Sequence, residues 1–133
     1  MNANSKEEPV ARPRLIVAHA DAAYVAVVSR AFRRLGWEVH AATTGPEARR
    51  LARQLAPDVL VMAAELEGES GWLTCHKVLS EQPRVKVFLV GDRSRPANGE
   101  FASFVGAVAL LPQTDSVQTL VAEVCGRSLP AAG

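Results

Sequence analysis

His19, Asp21 and Asp92 are of the types that move protons or hold metals, an imidazole with carboxylates that could orient it. Chemistry of that kind needs ligands or partners at spacings that converge. No such His/Cys/Asp constellation accompanies His19, so it is expected to be a polar filler of a small pocket. Glu65, Glu67 and Glu69 alternate along one stretch and could ring a cation, but alternate carboxylates in a loop are ordinarily solvated, and that is the expectation. Arg30, Arg33 and Arg34 form one basic set and Arg49, Arg50 and Arg53 another. Neither is accompanied by interleaved aromatics or a DNA-binding motif, so solvated helix faces are expected, with no nucleic-acid partner. Cys75 and Cys125 fit neither a disulfide framework nor a metal cluster and read as free thiols in packing positions. Trp37 and Trp72 read as packing residues.

The elements that would position these residues can be read from the apolar pattern. The chain has 133 residues, 48% of them hydrophobic, which suits one domain with its own core. Its 15 basic residues nearly cancel 14 acidic ones, so no global field draws it to nucleic acid or an anionic membrane. No apolar run is long enough to span a bilayer, and residues 1–13 lack the apolar middle of a signal peptide, so a cytoplasmic location is expected.

Short apolar runs alternate with helical stretches, the pattern of βαβ units on a parallel sheet. Strands are expected at 15–18, 37–41, 59–63, 87–90 and 108–111. Four are almost continuously apolar, as strands covered on both faces must be, while the second is mixed and suits an edge. Asp21 is expected to cap a first helix carrying Val25, Val28, Phe32 and Leu35 inward and ending at Gly36. A second opens at Thr44-Gly45-Pro46 and buries Ala48, Leu51 and Leu55. Further helices are expected near 71–79, 98–104 and 116–125. Right-handed crossovers then favour an α/β, flavodoxin-like, doubly wound five-stranded parallel sheet of order 2-1-3-4-5 with helices on both faces. Its functional crevice lies outside the carboxyl ends of the strands. The domain is expected over 14–126, with tails at 1–13 and 127–133.

The residues at those carboxyl ends carry a resemblance. The run from Pro57-Asp58 through the apolar strand Val59–Met62 to Ala63, followed by Gly68 and Gly71, is similar to the phosphoacceptor stretch of bacterial two-component response-regulator receiver domains. Leu15 to Asp21, Gly36-Trp37-Glu38-Val39 and Gly106-Ala107 match in order, so the resemblance covers roughly 14–125. In receivers an aspartate accepts a phosphoryl group, an acidic pair holds magnesium, and a lysine and a hydroxyl stabilise the phosphoryl oxygens. The resemblance puts Ala63 at the acceptor, His19 and Ala20 at the acidic pair, Gly91 at the hydroxyl and Gln113 at the lysine. Thr114 replaces the proline that follows that lysine, and Leu110 the switch aromatic.

Losing nucleophile, metal ligands, cation and hydroxyl together leaves nothing to stabilise charge in a phosphoryl transfer. The resemblance therefore implies a degenerate receiver, a pseudo-receiver that is not an enzyme, takes no cofactor or metal, and regulates through a protein partner, with weak homodimerisation compatible with the fold. By family analogy the partner face is that of the fourth helix, fifth strand and fifth helix, at Ser103, Gln118 and Thr119, with few charges besides Arg95, Glu100 and Glu123. The alternative is a small-ligand or metal sensor reusing the vacated crevice. An unrelated flavodoxin-like enzyme is disfavoured, because no glycine-rich phosphate loop follows the first strand.

Overall fold

The computed structural model describes residues 12–92, 94 and 96–128. Most of the expected N-terminal tail, residues 129–133 and Arg95 lie outside the described residues. Five strands, β1 (Arg14–Ala18), β2 (Glu38–Ala42), β3 (Val59–Ala63), β4 (Lys86–Gly91) and β5 (Ala109–Pro112), pair in parallel in the order β2-β1-β3-β4-β5. Between and after them run α1 (Ala22–Arg34), α2 (Gly45–Leu55), α3 (Gly71–Glu81), α4 (Pro96–Phe104) and α5 (Val117–Ser128). The expected fold class is the observed one, with most element ends moved by one to three residues. The last helix runs through Arg127, whose guanidinium meets Glu123 at 3.0 Å, so residues 127 and 128, expected outside the domain, are helical.

The pleat sorts the apolar strands between two cores. Ile16, Ala18, Leu60, Met62, Val87, Leu89 and Leu110 face α2, α3 and α4 through Ala48, Ala52, Trp72, Cys75, Val78 and Ala102. Their neighbours Leu15, Val17, Val59, Val61, Phe88, Val90 and Leu111 face α1 and α5 through Val28, Phe32, Leu120 and Val124. Continuous hydrophobicity is thus what a sheet covered on both sides requires.

Helix starts follow local chemistry. Asp21 accepts from the amides of Ala23 at 2.9 Å and Tyr24 at 3.4 Å, Thr44 from Glu47 at 3.2 Å, and Ser70 from Leu73 at 3.2 Å. The end of α1 departs from expectation. Leu35, expected inward, is the helix cap and 56% exposed. The chain turns at Gly36, with φ +92°, and Trp37 takes the inward place, its indole edge-on to Phe32 at 5.2 Å.

Candidate functional site

The carboxyl ends of the strands meet in one cleft of about 300 Å³. His19, Ala20, Ala63, Gly91 and Gln113, far apart in sequence, all line it, together with Ala64, Glu65, Trp72, Val90, Asp92 and Asn98. Leu110 is buried on the α2–α4 side, and a Cβ added at Gly91 would stand 3.6 Å from it and 3.1 Å from the Ala64 methyl. A larger residue at 91 therefore requires its neighbours to yield.

Each wall is set by backbone pairing. His19 follows β1 and donates its amide to the Ala42 carbonyl at 3.1 Å. It is 6% exposed, and its ring centroid lies 4.4 Å from that of Tyr24. Its Nδ1 accepts the Asp21 amide hydrogen at 3.0 Å, while Nε2 is buried without a partner. Burial pushes the His19 pKa below its ordinary value, against the opposing charge of Asp21. Beside it, burial and then the charge of Asp115 raise the Tyr24 phenol to about 12.

Ala63 ends β3 and Ala64 follows it, with the Ala64 amide on the Val90 carbonyl at 2.8 Å and its carbonyl accepting from Gly71 at 2.9 Å. The start of α3 comes so close that a Cβ at Gly71 would collide with the Ala63 carbonyl oxygen. That explains the glycine of the motif in steric terms. On the β4–β5 side Gln113 donates its amide to Gly91 O at 3.2 Å, and Asn98 Nδ2 donates to Asp92 O at 2.8 Å.

Two expectations need correction. Glu69 is not solvated: its side chain is 7% exposed and accepts from Arg49 at 2.9 and 3.3 Å, Lys77 at 2.9 Å and Thr74 Oγ1 at 2.7 Å. Burial alone would raise its pKa, but hydrogen bonds from Lys77, Thr74 and Arg49, with the Arg49 charge, hold it down at about 2. Nor is α2's arginine face merely solvated. Arg49 grips Glu69 and Arg53 grips Glu81 through two bonds of 3.0 and 2.9 Å, tying α2 to α3 and the loop before it. Arg33 also donates to Val39 O at 3.0 Å, whereas Arg30 and Arg34 are exposed as expected. Glu65 and Glu67 are exposed, and among the described residues no group of three His, Cys, Asp or Glu could hold a metal ion. Cys75 is buried on the α3 side of the sheet and Cys125 half-buried on the α5 side; both are free.

Ser103, Gln118 and Thr119 are exposed on α4 and α5. Sequence reasoning missed the aromatic surface beside Ser103. Trp72 lies 4.8 Å from Phe101, which stacks at 6.3 Å on Phe104, and Phe101 and Phe104 are 42% and 83% exposed. The signal was the spacing of three between two phenylalanines on a short helix, which places both on one face.

The family model described as the response regulator receiver domain matches residues 15–124. The chain belongs to that family. Among curated proteins, this receiver is 39% identical over 64 residues to the "Probable transcriptional regulatory protein TcrX" of Mycobacterium tuberculosis, a match covering 48% of this chain and 27% of that protein. The chain thus spans about a quarter of that relative's length. Among solved structures it is similar to a CheY-like receiver domain protein from Methanospirillum hungatei, with TM-score 0.83, 18% identity and coverage of 88% of this chain and 94% of that one. The receiver domain of Saccharomyces cerevisiae Ssk1, crystallised with the histidine phosphotransfer protein Ypd1, superposes with TM-score 0.81 at 12% identity over 90% and 94% of the chains. At such identities the likeness is one of fold. No helix among the described residues is long and apolar enough to cross a membrane.

Proposed function

We propose that this receiver is a pseudo-receiver: a cytoplasmic, non-enzymatic regulatory module that acts through a protein partner and is not set by aspartyl phosphorylation. The observation that carries the reading is the cleft lining. Where the resemblance calls for an acceptor carboxylate there is the Ala63 methyl, and among the described residues no lysine or arginine lines the cleft to meet phosphoryl oxygens. The positions of the acidic pair carry His19 and Ala20, and the position of the hydroxyl carries Gly91. Phosphoryl transfer is almost entirely positioning and charge stabilisation, and the absence of a carboxylate at 63 and of a cation among the described lining residues supports the reading.

Incubation with acetyl phosphate and magnesium, read as intact mass, tests it. No phosphoryl increment is expected on the wild type or on Ala63→Asp, because a lone carboxylate there lacks its ion and its cation. Hydroxylamine-sensitive labelling of either would refute the reading. For the partner, the exposed Ser103, Gln118 and Thr119, together with Phe101 and Phe104, support docking on α4 and α5. Charges inserted at Ser103, Gln118 and Thr119 are expected to weaken capture of the partner; undiminished capture would point to another surface.

A further inference from the structure

β2 is the edge of the sheet, and among the described residues no strand lies on its outer side. Glu38 donates its amide to Pro13 O at 2.9 Å and the Ala42 carbonyl accepts from His19 at 3.1 Å, so alternate residues point their backbone groups at β1 and those of Val39 and Ala41 point outward. Outward groups of an edge strand are a template for a further strand unless side chains cover them. Arg33 covers one, its Nη2 donating to Val39 O at 3.0 Å, and Glu47 closes the far end by accepting the Thr43 amide at 2.8 Å. Between those two side chains lies Ala41, exposed on the outer edge.

A groove of about 770 Å³ runs beside this edge, between β2 and α1. Its α1 wall changes character along its length, from the small side chains Ala22, Val25 and Ala26 to Arg30, Arg33 and Arg34. From Ala22 to Arg33 the wall is about 16 Å long at the helical rise, the length of about five extended residues. The small residues admit a backbone, and the guanidinium end calls for carboxylates. Arg30 and Arg34 are exposed with no acidic partner among the described residues, and the acid that lines the groove, Glu47, is held by Thr43 and lies 3.9 Å from Arg50. A second copy of the chain would bring the same arginines to the same edge, without the complementary charge. A nucleic acid would use the arginines but not the outward amide and carbonyl of Ala41, and no aromatic among the described lining residues offers a base a stacking platform. An extended acidic polypeptide uses both features.

We propose that the groove between α1 and β2 is a docking site for an extended acidic segment of a partner protein, which adds as a short edge strand at Ala41 and sets its carboxylates against Arg30 and Arg34. The surface is separate from α4 and α5, and the inference does not depend on the loss of phosphoryl chemistry.

The probes are the peptide acetyl-Val-Thr-Val-Thr-Glu-Thr-Glu-amide, whose one face carries two valines and then two glutamates, and the same sequence reversed, so that both strand directions are covered. Each is titrated into the full chain at low salt while backbone amides and arginine Nε groups are followed by NMR. At least one should give saturable shifts at Val39, Ala41, Arg30 and Arg34. Lysine in place of glutamate should weaken binding at least about tenfold, and N-methylation of the peptide amides should abolish it. Arg30→Glu combined with Arg34→Glu changes two exposed side chains; it should weaken the acidic peptide at least about tenfold and restore binding of the lysine peptide. Ala41→Pro removes an outward donor without touching the ladder to β1 and should also abolish binding. No saturable shift at millimolar peptide, unchanged binding by the N-methylated or lysine peptides, or unweakened binding by the double charge reversal would each overturn the proposal. So would tighter binding of a thymidine decanucleotide at the same resonances, shifts at Ala41 that depend on the concentration of the chain alone, or the same shifts produced without peptide by deleting residues 1–11; these outcomes assign the groove to a nucleic acid, a second copy or the chain's own N-terminal segment.

Discussion

Removing Glu69 should destabilise the domain far more than the loss of an ordinary loop carboxylate. In the fold this side chain joins α2, α3 and the loop that forms one wall of the cleft. Its pKa falls from 4.5 to about 2 on folding, which at about 1.4 kcal/mol per pH unit is worth about 3 kcal/mol at neutral pH. Lys77 is 43% exposed and partly screened, so about 2–3 kcal/mol is the expected share of the charge. Glu69→Ala also strands the Thr74 hydroxyl, which is 0% exposed, at a further cost of about 1–3 kcal/mol. Glu69→Gln keeps an acceptor for Thr74 and should lose only the charge-dependent part. The pH dependence has a fixed sign. A carboxyl depressed on folding stabilises above its unfolded pKa, and that contribution is lost as pH falls from 4.5 toward 2. Urea unfolding of wild type and both variants at pH 7, 5 and 3 reads these differences, since a domain of this size should unfold in two states. Glu38 and Glu81 are depressed too, but they are unchanged in all three proteins and cancel from the differences. A Glu69→Ala loss below about 1 kcal/mol at pH 7, or one as large at pH 3 as at pH 7, would refute the account.

Other perturbations test other parts of the fold. His19 is held below its ordinary pKa of 6.5 by burial, so the unfolded chain takes up its proton first. Stability should therefore fall as pH drops below 6.5, a slope that His19→Phe should flatten in pH-resolved unfolding curves. Gly71→Ala would drive its Cβ into the backbone carbonyl of Ala63, which cannot swing aside as a side chain would, and is expected to cost about 2–3 kcal/mol by urea unfolding; a change within about 0.5 kcal/mol would sink the steric argument. Cys75, with its thiol pushed up to about 12 by burial and its Sγ 3.6 Å from Val105 O, should resist a maleimide in the native protein. The unfolded, unreduced chain should titrate two thiols.

Much of this was legible in the sequence because it is encoded between near neighbours. Continuous apolar runs announced strands covered on both sides, Asp21 and Thr44 announced helix starts, and the right-handed crossover rule ordered the strands. The resemblance then named the residues at the strand ends, and the sheet brings those five into one cleft because parallel strands all end on the same side. What only the tertiary structure decided depends on residues far apart in the chain. Glu69 and Arg49 are 20 positions apart, and no local pattern distinguishes a carboxylate that will meet two cations and a hydroxyl from one left in water. Leu35 and Trp37 both fit the apolar pattern. The choice between them fell to the turn at Gly36, which rotates one out and returns the other to Phe32. The unpartnered Nε2 of His19 likewise arises from a backbone amide two residues on and from the packing of Tyr24, a geometry fixed only when α1 is seated on the sheet. Periodicity specifies which face of an element is buried, but pairing, charge satisfaction and exposure are set by what the opposing element presents.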